Sequence, residues 1–354
     1  MGGNAALAEL STHFTGASAI FTTSPLYRAL CPVVAADTTT IELLTHRRPG
    51  QQASYLFFGA VHYLLLGGVG HELRTFYPSV VGPAARAPEA AGPALVDFCR
   101  TYRAELTELV RTRLVQSNVV RRAAGLRFAL AALRRRIPGP VHLVEVGASA
   151  GIHLRVDRYR YLIGGHPFGP PDAAVTIQSD WLGAGVPPDL DDVPAIASRI
   201  GVDLNPVHAT DEADRRWLRA LVWPEDRAGA DLLAAALDEV VRDPPRIIAG
   251  DAVDVCPGLG AGLPPGEPRV VFHAATRMHV PAARRAAFDR AIDAIGEGGP
   301  LFHVWQEPAS APHHGEVADG RDVIAFHGPG DTTPVSLVRI DGHLRWLAPL
   351  NGTT

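Results

Sequence analysis

From residue 24 to 137 apolar positions recur every three or four residues, the period of a helix with one buried face. The pattern predicts helices over 24–37, 38–47, 53–70 and, in one long run, 93–137. In that last run Leu106, Leu109, Val110, Leu114, Leu126, Phe128 and Leu130 punctuate rows of arginine. Arg121, Arg122, Arg127, Arg134, Arg135 and Arg136 are therefore expected on a solvated face. Pro138-Gly139-Pro140 ends the run, because proline lacks an amide hydrogen and disfavours a helical residue before it.

Beyond that break the period changes. VHLVEVG (141–147) is a short apolar strand signal, and similar runs recur at 173–180, 245–251, 268–274 and 300–307. Helical stretches lie at 214–221, 230–241 and 281–295. Strands alternating with helices predict an α/β fold with a mostly parallel sheet covered on both faces. The division expected is a helical N-terminal lid region over 1–139 and the sheet domain over 140–354. The closing stretch 334–349 reads as a hairpin turning at Asp341-Gly342.

The run 53–70 has no formally charged residue and reaches the length of a short membrane span. With His62 in its middle, Gly67, Gly68 and Gly70 at its end and no second span, it is read as a buried core helix with a glycine stop. The first residues lack a basic segment followed by an apolar one, so no signal peptide is expected. A net charge of −4 gives no electrostatic footprint for nucleic acid or an anionic membrane, and neither is expected as a partner. All 33 basic residues are arginine. Without lysine, pyridoxal phosphate Schiff bases, P-loop phosphate binding and other lysine nucleophiles are excluded. Cys31, Cys99 and Cys256 are odd in number and too far apart for a CxxC pattern, which suits a reducing cytoplasm.

The most specific local feature is Glu145-Val-Gly147-Ala-Ser149-Ala-Gly151, between a strand and what reads as a helix beginning at Ile152. In one reading it is a nucleotide loop: Gly147 and Gly151 let backbone approach the ligand, the helix start presents free amides, and Glu145 is an acceptor. In the other it is a G-x-S-x-G nucleophile elbow with Ser149 as the nucleophile of a hydrolase and Asp251 with His273 or His303 as partners. The helical character of everything upstream favours the loop, because an elbow normally follows several strands and an oxyanion segment. A nucleotide-binding sheet needs a carboxylate for the ribose at the end of its second strand. Asp180 is the candidate, 29 residues beyond Gly151, where dinucleotide folds place it at about 20. The next strand ends in Gly250-Asp251-Ala252, and Asp251 is either a ligand residue or a helix cap. His273, Arg277 and His279 follow the 268–274 strand, where open α/β sheets carry out their chemistry. His273 is the first choice as general base, with His303, Trp305 and Glu307 as a second cluster. For metal, His273 with His279, or His313 with His314, lack a third ligand at a recognisable spacing, so none is expected.

The turn resembles the acidic-x-Gly-x-Gly-x-Gly motif of class I S-adenosylmethionine-dependent methyltransferases, with Ser149 at the middle glycine. Over a longer span, SPLYRALC, QQASYLFFGAVHYLLLGG, QSNVVRR, LVEVGASAGIHLRVDRYRY, WLRALVWPED and the late GDA strand together resemble the domain-of-unknown-function family 2332, from about residue 24 to 346. That resemblance implies a helical region fused to a Rossmann-like, methyltransferase-like sheet. Two positions depart from the family pattern: Val119 stands after Asn118 where an acidic residue is usual, and His153 where an asparagine is usual. It also draws attention to Gln116, Asn118 and Tyr159, the amides as ligand-orienting groups or as helix caps. The function expected is methyl transfer from S-adenosylmethionine to a small molecule, the alternatives being a serine hydrolase using the G-x-S-x-G at 147–151 or a non-catalytic nucleotide-binding protein of the same fold. Glu145, Gly147, Ser149, Gly151, Asp180 and Asp251 would hold the cofactor, Gln116, Asn118, His62 and Arg277 the substrate, and His273 or Tyr159 would take the proton.

Overall fold

The computed structural model describes residues 2–137, 139–308 and 322–350. Its helices, in chain order, are α1 (Gly2–Ala17), α2 (Pro25–Ala36), α3 (Thr38–Leu43), α4 (Ala53–Leu66), α5 (Pro78–Val81), α6 (Gly92–Thr101), α7 (Arg103–Thr112), α8 (Arg122–Leu133), α9 (Glu212–Ala220), α10 (Arg227–Arg242), α11 (Ala252–Leu259) and α12 (Ala282–Ala294). The chain packs as two compact units, Met1–Ser117 with Thr210–Ala234, and Asn118–Ala209 with Ala235–Thr354.

The first unit is helical. Its starts follow capping chemistry: Ser24 accepts the Tyr27 amide at 3.3 Å with Pro25 beginning α2, and Asp37 accepts the Thr40 amide at 3.2 Å ahead of α3. Helix α4 is apolar on nearly every side and buried, packed among Phe14, Phe21 and Tyr27. Gly59 opens one side of it: a Cβ there would stand 2.9 Å from Leu221 Cδ2, so α9 lies close against it. Among the described residues no helix is long and apolar enough to cross a membrane. The long run expected over 93–137 is broken between α7 and α8. There the Leu114 carbonyl accepts the Trp217 indole at 2.8 Å and the Val115 amide donates to Gln51 at 2.7 Å, so side chains take backbone groups that a helix would use.

The second unit is α/β. Its strands are β1 (Val141–Val146), β2 (Arg160–Ile163), β3 (His166–Phe168), β4 (Thr176–Trp181), β5 (Ile196–Asp203), β6 (Arg246–Ala249), β7 (Arg269–Ala274), β8 (Leu301–Glu307), β9 (Val323–His327), β10 (Val335–Ile340) and β11 (Trp346–Ala348). Among the described residues they form one mostly parallel sheet in the order β3-β2-β4-β11-β10-β9-β8-β7-β1-β5-β6. The run from β6 to β8 is parallel throughout, and every residue of β1 is buried, as a central strand covered on both faces requires. From β1 the chain passes to β5 and β6 on one side and later to β7 and β8 on the other, so the strand order reverses at β1. Helices α11 and α12 cover one face through Cys256, Phe288, Ile292 and Ile295. The closing hairpin is present, β10 pairing antiparallel with β11.

Two expectations are corrected here. The strand signal at 173–180 is β4, which pairs with β2 and β11 and stands across the sheet from β1; the neighbour of β1 is β5, a strand absent from the sequence-based reading. And no α-helix follows the glycine turn. Its place is taken by a short 3-10 segment, His153–Arg158, broken at Arg155. The Tyr159 and Tyr161 hydroxyls donate to the Ile152 and Val156 carbonyls, each at 2.6 Å, capturing acceptors that an α-helix would need.

Candidate functional site

The turn after β1 is built from three left-handed residues, Gly147 (φ +81°), Ser149 (φ +49°) and Gly151 (φ +75°). Both glycines are required by close approach. A Cβ on Gly147 would stand 2.2 Å from Thr276 Oγ1, and one on Gly151 2.7 Å from Pro245 Cγ. Ser149 carries a side chain in a conformation that costs about 1 kcal/mol or more and persists only when its surroundings hold it. Its amide donates to Asp203 Oδ2 at 2.7 Å, its hydroxyl accepts from Asn118 Nδ2 at 2.9 Å, and its carbonyl accepts the Val207 amide at 3.2 Å. Asp203 ends β5, and its other oxygen accepts the Asn205 amide at 2.7 Å. One carboxylate thus ties the turn after β1 to the end of β5, at the carboxyl edge where the strand order reverses.

Inside this edge Glu145 is fully enclosed. His153 Nδ1 meets its Oε1 at 2.7 Å and His153 Nε2 faces the Val119 carbonyl at 3.0 Å. Both ring nitrogens therefore point at acceptors, and a proton lies between Nδ1 and Oε1. Burial pushes the Glu145 carboxyl above its usual range, against the pull of His153 and Arg122. Its Oε2 is buried and has no hydrogen-bond partner among the described residues. Such an acceptor suits a donor group on a ligand.

A second carboxylate organises the turn after β7. Glu307, at the end of β8, accepts His273 Nδ1 at 2.8 Å and the amides of Thr276, Arg277 and Met278 at 2.8, 2.9 and 3.2 Å. Burial pushes its carboxyl up, but His273 and these amides outweigh that and hold it below the usual range. Beyond it His279 and His343 keep surface open to solvent, and partial burial lowers both imidazoles, helped at His279 by Arg122 against Glu307 and at His343 by Arg122 and Arg345.

The expected residues fall into three groups. Glu145, Gly147, Ser149, Gly151 and Asn118 come together in the second unit as described. Asp251 stands at the same edge beyond β6, where it caps α11 through the Val253 amide at 2.9 Å and pairs with Arg284 at 2.7 Å. The rest have other work. Asp180 is corrected: it lies on β4, and Asp203 holds the position assigned to it. Tyr159 is fully buried, bonded to the Ile152 carbonyl. His273 is fully buried between Glu307 and Phe288. Arg277, expected to meet substrate, is instead 6% exposed and clamps Asp289 through Nε and Nη2 at 2.8 and 2.9 Å. Gln116 and His62 belong to the first unit, where His62 Nδ1 meets the Ala220 carbonyl at 3.0 Å and Nε2 meets Ser79 Oγ at 2.7 Å. The Ser149, Asp251, His273 trio of a hydrolase is not assembled, since Asn118, Arg284 and Glu307 respectively hold its members. His313 and His314 lie outside the described residues.

Asp203 was missed because the inserted β2–β4 carries its strand far from Gly151; the signal was the apolar run IASRIGVD ending in a carboxylate. Arg127 was misread as solvated surface: it is 4% exposed and donates to the Leu190 carbonyl at 2.7 Å. Arg122 is half-buried, and its guanidinium is pushed down to about 10 by burial despite Glu307 and Glu145.

No curated protein matches the chain. A solved structure of the bifunctional kinase-methyltransferase WbdD aligns with 63% of this chain at 12% identity and a TM-score of 0.28, and the alignment spans 39% of that protein's chain. The model of DUF2332, described as an uncharacterized protein conserved in bacteria, matches residues 12–348, and the chain belongs to that family.

Proposed function

We propose that the carboxyl edge of β1, β5 and β7 binds S-adenosylmethionine and that the protein is a methyltransferase acting on a small molecule. The observation that carries the reading is the bond that the Ser149 amide donates to Asp203, which sets a carboxylate against a left-handed turn where the strand order reverses. Open α/β sheets bind nucleotides at such a reversal, with an acidic residue for the ribose at the end of the adjacent strand. Leu204, 68% exposed directly after Asp203, offers an apolar surface to a purine. The enclosed Glu145 Oε2 suits the donor end of an amino acid group.

The bound cofactor would supply an electrophilic methyl group. The chain's own contribution is positioning: Asp203 and Ser149 fix the turn, and Glu307 fixes the loop that follows β7. His279 and His343 replace His273 and Tyr159 as proton acceptors in this reading, since both are exposed at that edge and lowered, hence neutral at pH 7.

Calorimetric titration with S-adenosylhomocysteine tests the reading. Micromolar binding is expected, lost in Asp203→Ala and kept in Asp180→Ala. Absence of binding by folded wild-type protein, or binding indifferent to Asp203, overturns it.

A further inference from the structure

The segment 118–122 crosses the carboxyl edge of the sheet and is tied down along its length. Asn118 bonds Ser149 at 2.9 Å, the Val119 carbonyl meets His153 at 3.0 Å, and Arg122 Nε donates to the Gly342 carbonyl at 3.3 Å. One turn further along the same helix face, a Cβ on Gly125 would stand 2.9 Å from Gln306 Oε1 and 3.2 Å from Leu344 Cδ2. Arg122 is thereby placed beyond the end of β8, beside the turn after β7.

Its guanidinium has one hydrogen bond, from Nε, and no carboxylate within ion-pair distance among the described residues. The arginines near it in sequence or space are engaged differently: Arg127 bonds the Leu190 carbonyl at 2.7 Å and Arg277 clamps Asp289. Glu307 already accepts four protein donors, three on Oε1 and one on Oε2, and Glu145 Oε1 is taken by His153. The two terminal nitrogens of Arg122 form a rigid planar fork, the geometry that matches a carboxylate or phosphate by two parallel bonds. A half-buried cation that meets no carboxylate at ion-pair distance among the described residues, with Glu307 and Glu145 acting on it only from further off, is placed to take the charge of a ligand.

We propose that Arg122 is the anion clamp of this site, so that the molecule acted on carries a carboxylate or phosphate that the guanidinium grips in a bidentate pair. Only the description of that molecule as a methyl acceptor rests on the preceding section. The clamp stands on the placement of Arg122 alone.

The experiment uses sodium phosphate and sodium acetate as probes, titrated at constant ionic strength while thermal unfolding is followed, with calorimetry of S-adenosylhomocysteine on the same proteins. Saturable stabilisation of the wild type is expected. Phosphate acting below the acetate concentration assigns a phosphate ligand, and the reverse order a carboxylate. Arg122→Gln should weaken the response about tenfold or more, Arg122→Lys should keep part of it because charge remains without the fork, and Arg121→Gln should leave it unchanged. Cofactor affinity should stay constant across all three. An equal anion response in wild type, Arg122→Gln and Arg122→Lys, or none in the wild type, overturns the clamp. Anion binding that depends on Arg122 in a protein that ignores S-adenosylhomocysteine keeps the clamp and removes methyl transfer.

Discussion

His62 is 1% exposed and its imidazole is pushed down to about 4, chiefly by burial and against the Ala220 carbonyl. The native ring therefore refuses a proton that the unfolded chain takes near 6.5. Native stability should fall as pH drops through that interval, by about 1.4 kcal/mol per pH unit. Urea midpoints at pH 7, 6 and 5 measure the slope, and His62→Gln should flatten it; an unchanged slope in the variant would place the acid lability elsewhere. Glu307 acts in a lower window. A carboxylate held below its usual range contributes stability above that range and loses it as pH falls through the folded value. Glu307→Gln should cost about 1–3 kcal/mol at pH 7, because amide donors lose their charged acceptor, and the difference from wild type should shrink as the pH falls below the ordinary carboxylate range.

At the scale of the element, the turn after β1 is a fitted piece. Gly147→Ala places a Cβ against Thr276 Oγ1 and Cγ2, at 2.2 and 2.7 Å, and also forces φ +81° on an alanine. The two effects should sum to about 2–4 kcal/mol. Thr276→Ala in the same chain should restore the steric part and leave the dihedral part, so a double-mutant cycle separates them. Additive losses would mean that Thr276 does not fill the space. These contacts also show what the sequence could tell. Strands β1, β6, β7 and β8 were legible because each is a short apolar run beside a proline or glycine break, and the Asp-Gly pair announced the β10–β11 hairpin. Strand β5 was not, since its first half is incompletely buried and carries Ser198 and Arg199, it follows a stretch rich in Pro, Gly and Asp, and its partnership with β1 is made across the inserted β2–β4. The helix expected after Ile152 failed because two tyrosines beyond it take its carbonyls, a tertiary fact invisible to periodicity. The site divided the same way. Its turn could be read as a motif, whereas Asp203 and Arg122 are brought to that edge only by the fold.

At the scale of the whole molecule neither unit is a continuous piece of chain. The helical unit takes back 210–234 after the chain has built β1 to β5. The returning segment fills its core. Trp217 is 3% exposed and donates to the Leu114 carbonyl, Asp214 pairs with Arg113 at 2.7 Å, and Glu225 accepts both the Ser24 hydroxyl at 2.7 Å and the Leu26 amide at 3.0 Å, so it caps α2 from afar. His62 also spends a ring nitrogen on the Ala220 carbonyl. A fragment ending at residue 117 loses all of these at once and bares the side of α4 that Gly59 opens to Leu221 and Trp217. Removing one buried tryptophan costs about 3–5 kcal/mol, a large part of the 5–15 kcal/mol that holds a domain together. The fragment 1–117 should therefore keep helical far-ultraviolet dichroism, lose its near-ultraviolet signal and bind a hydrophobic dye. Joining 210–234 to it through a flexible linker should restore cooperative unfolding, and the same joined segment carrying Trp217→Ala should restore it less. A fragment 1–117 that unfolds cooperatively without the added segment would show that α9 decorates the helical unit and is not part of its core.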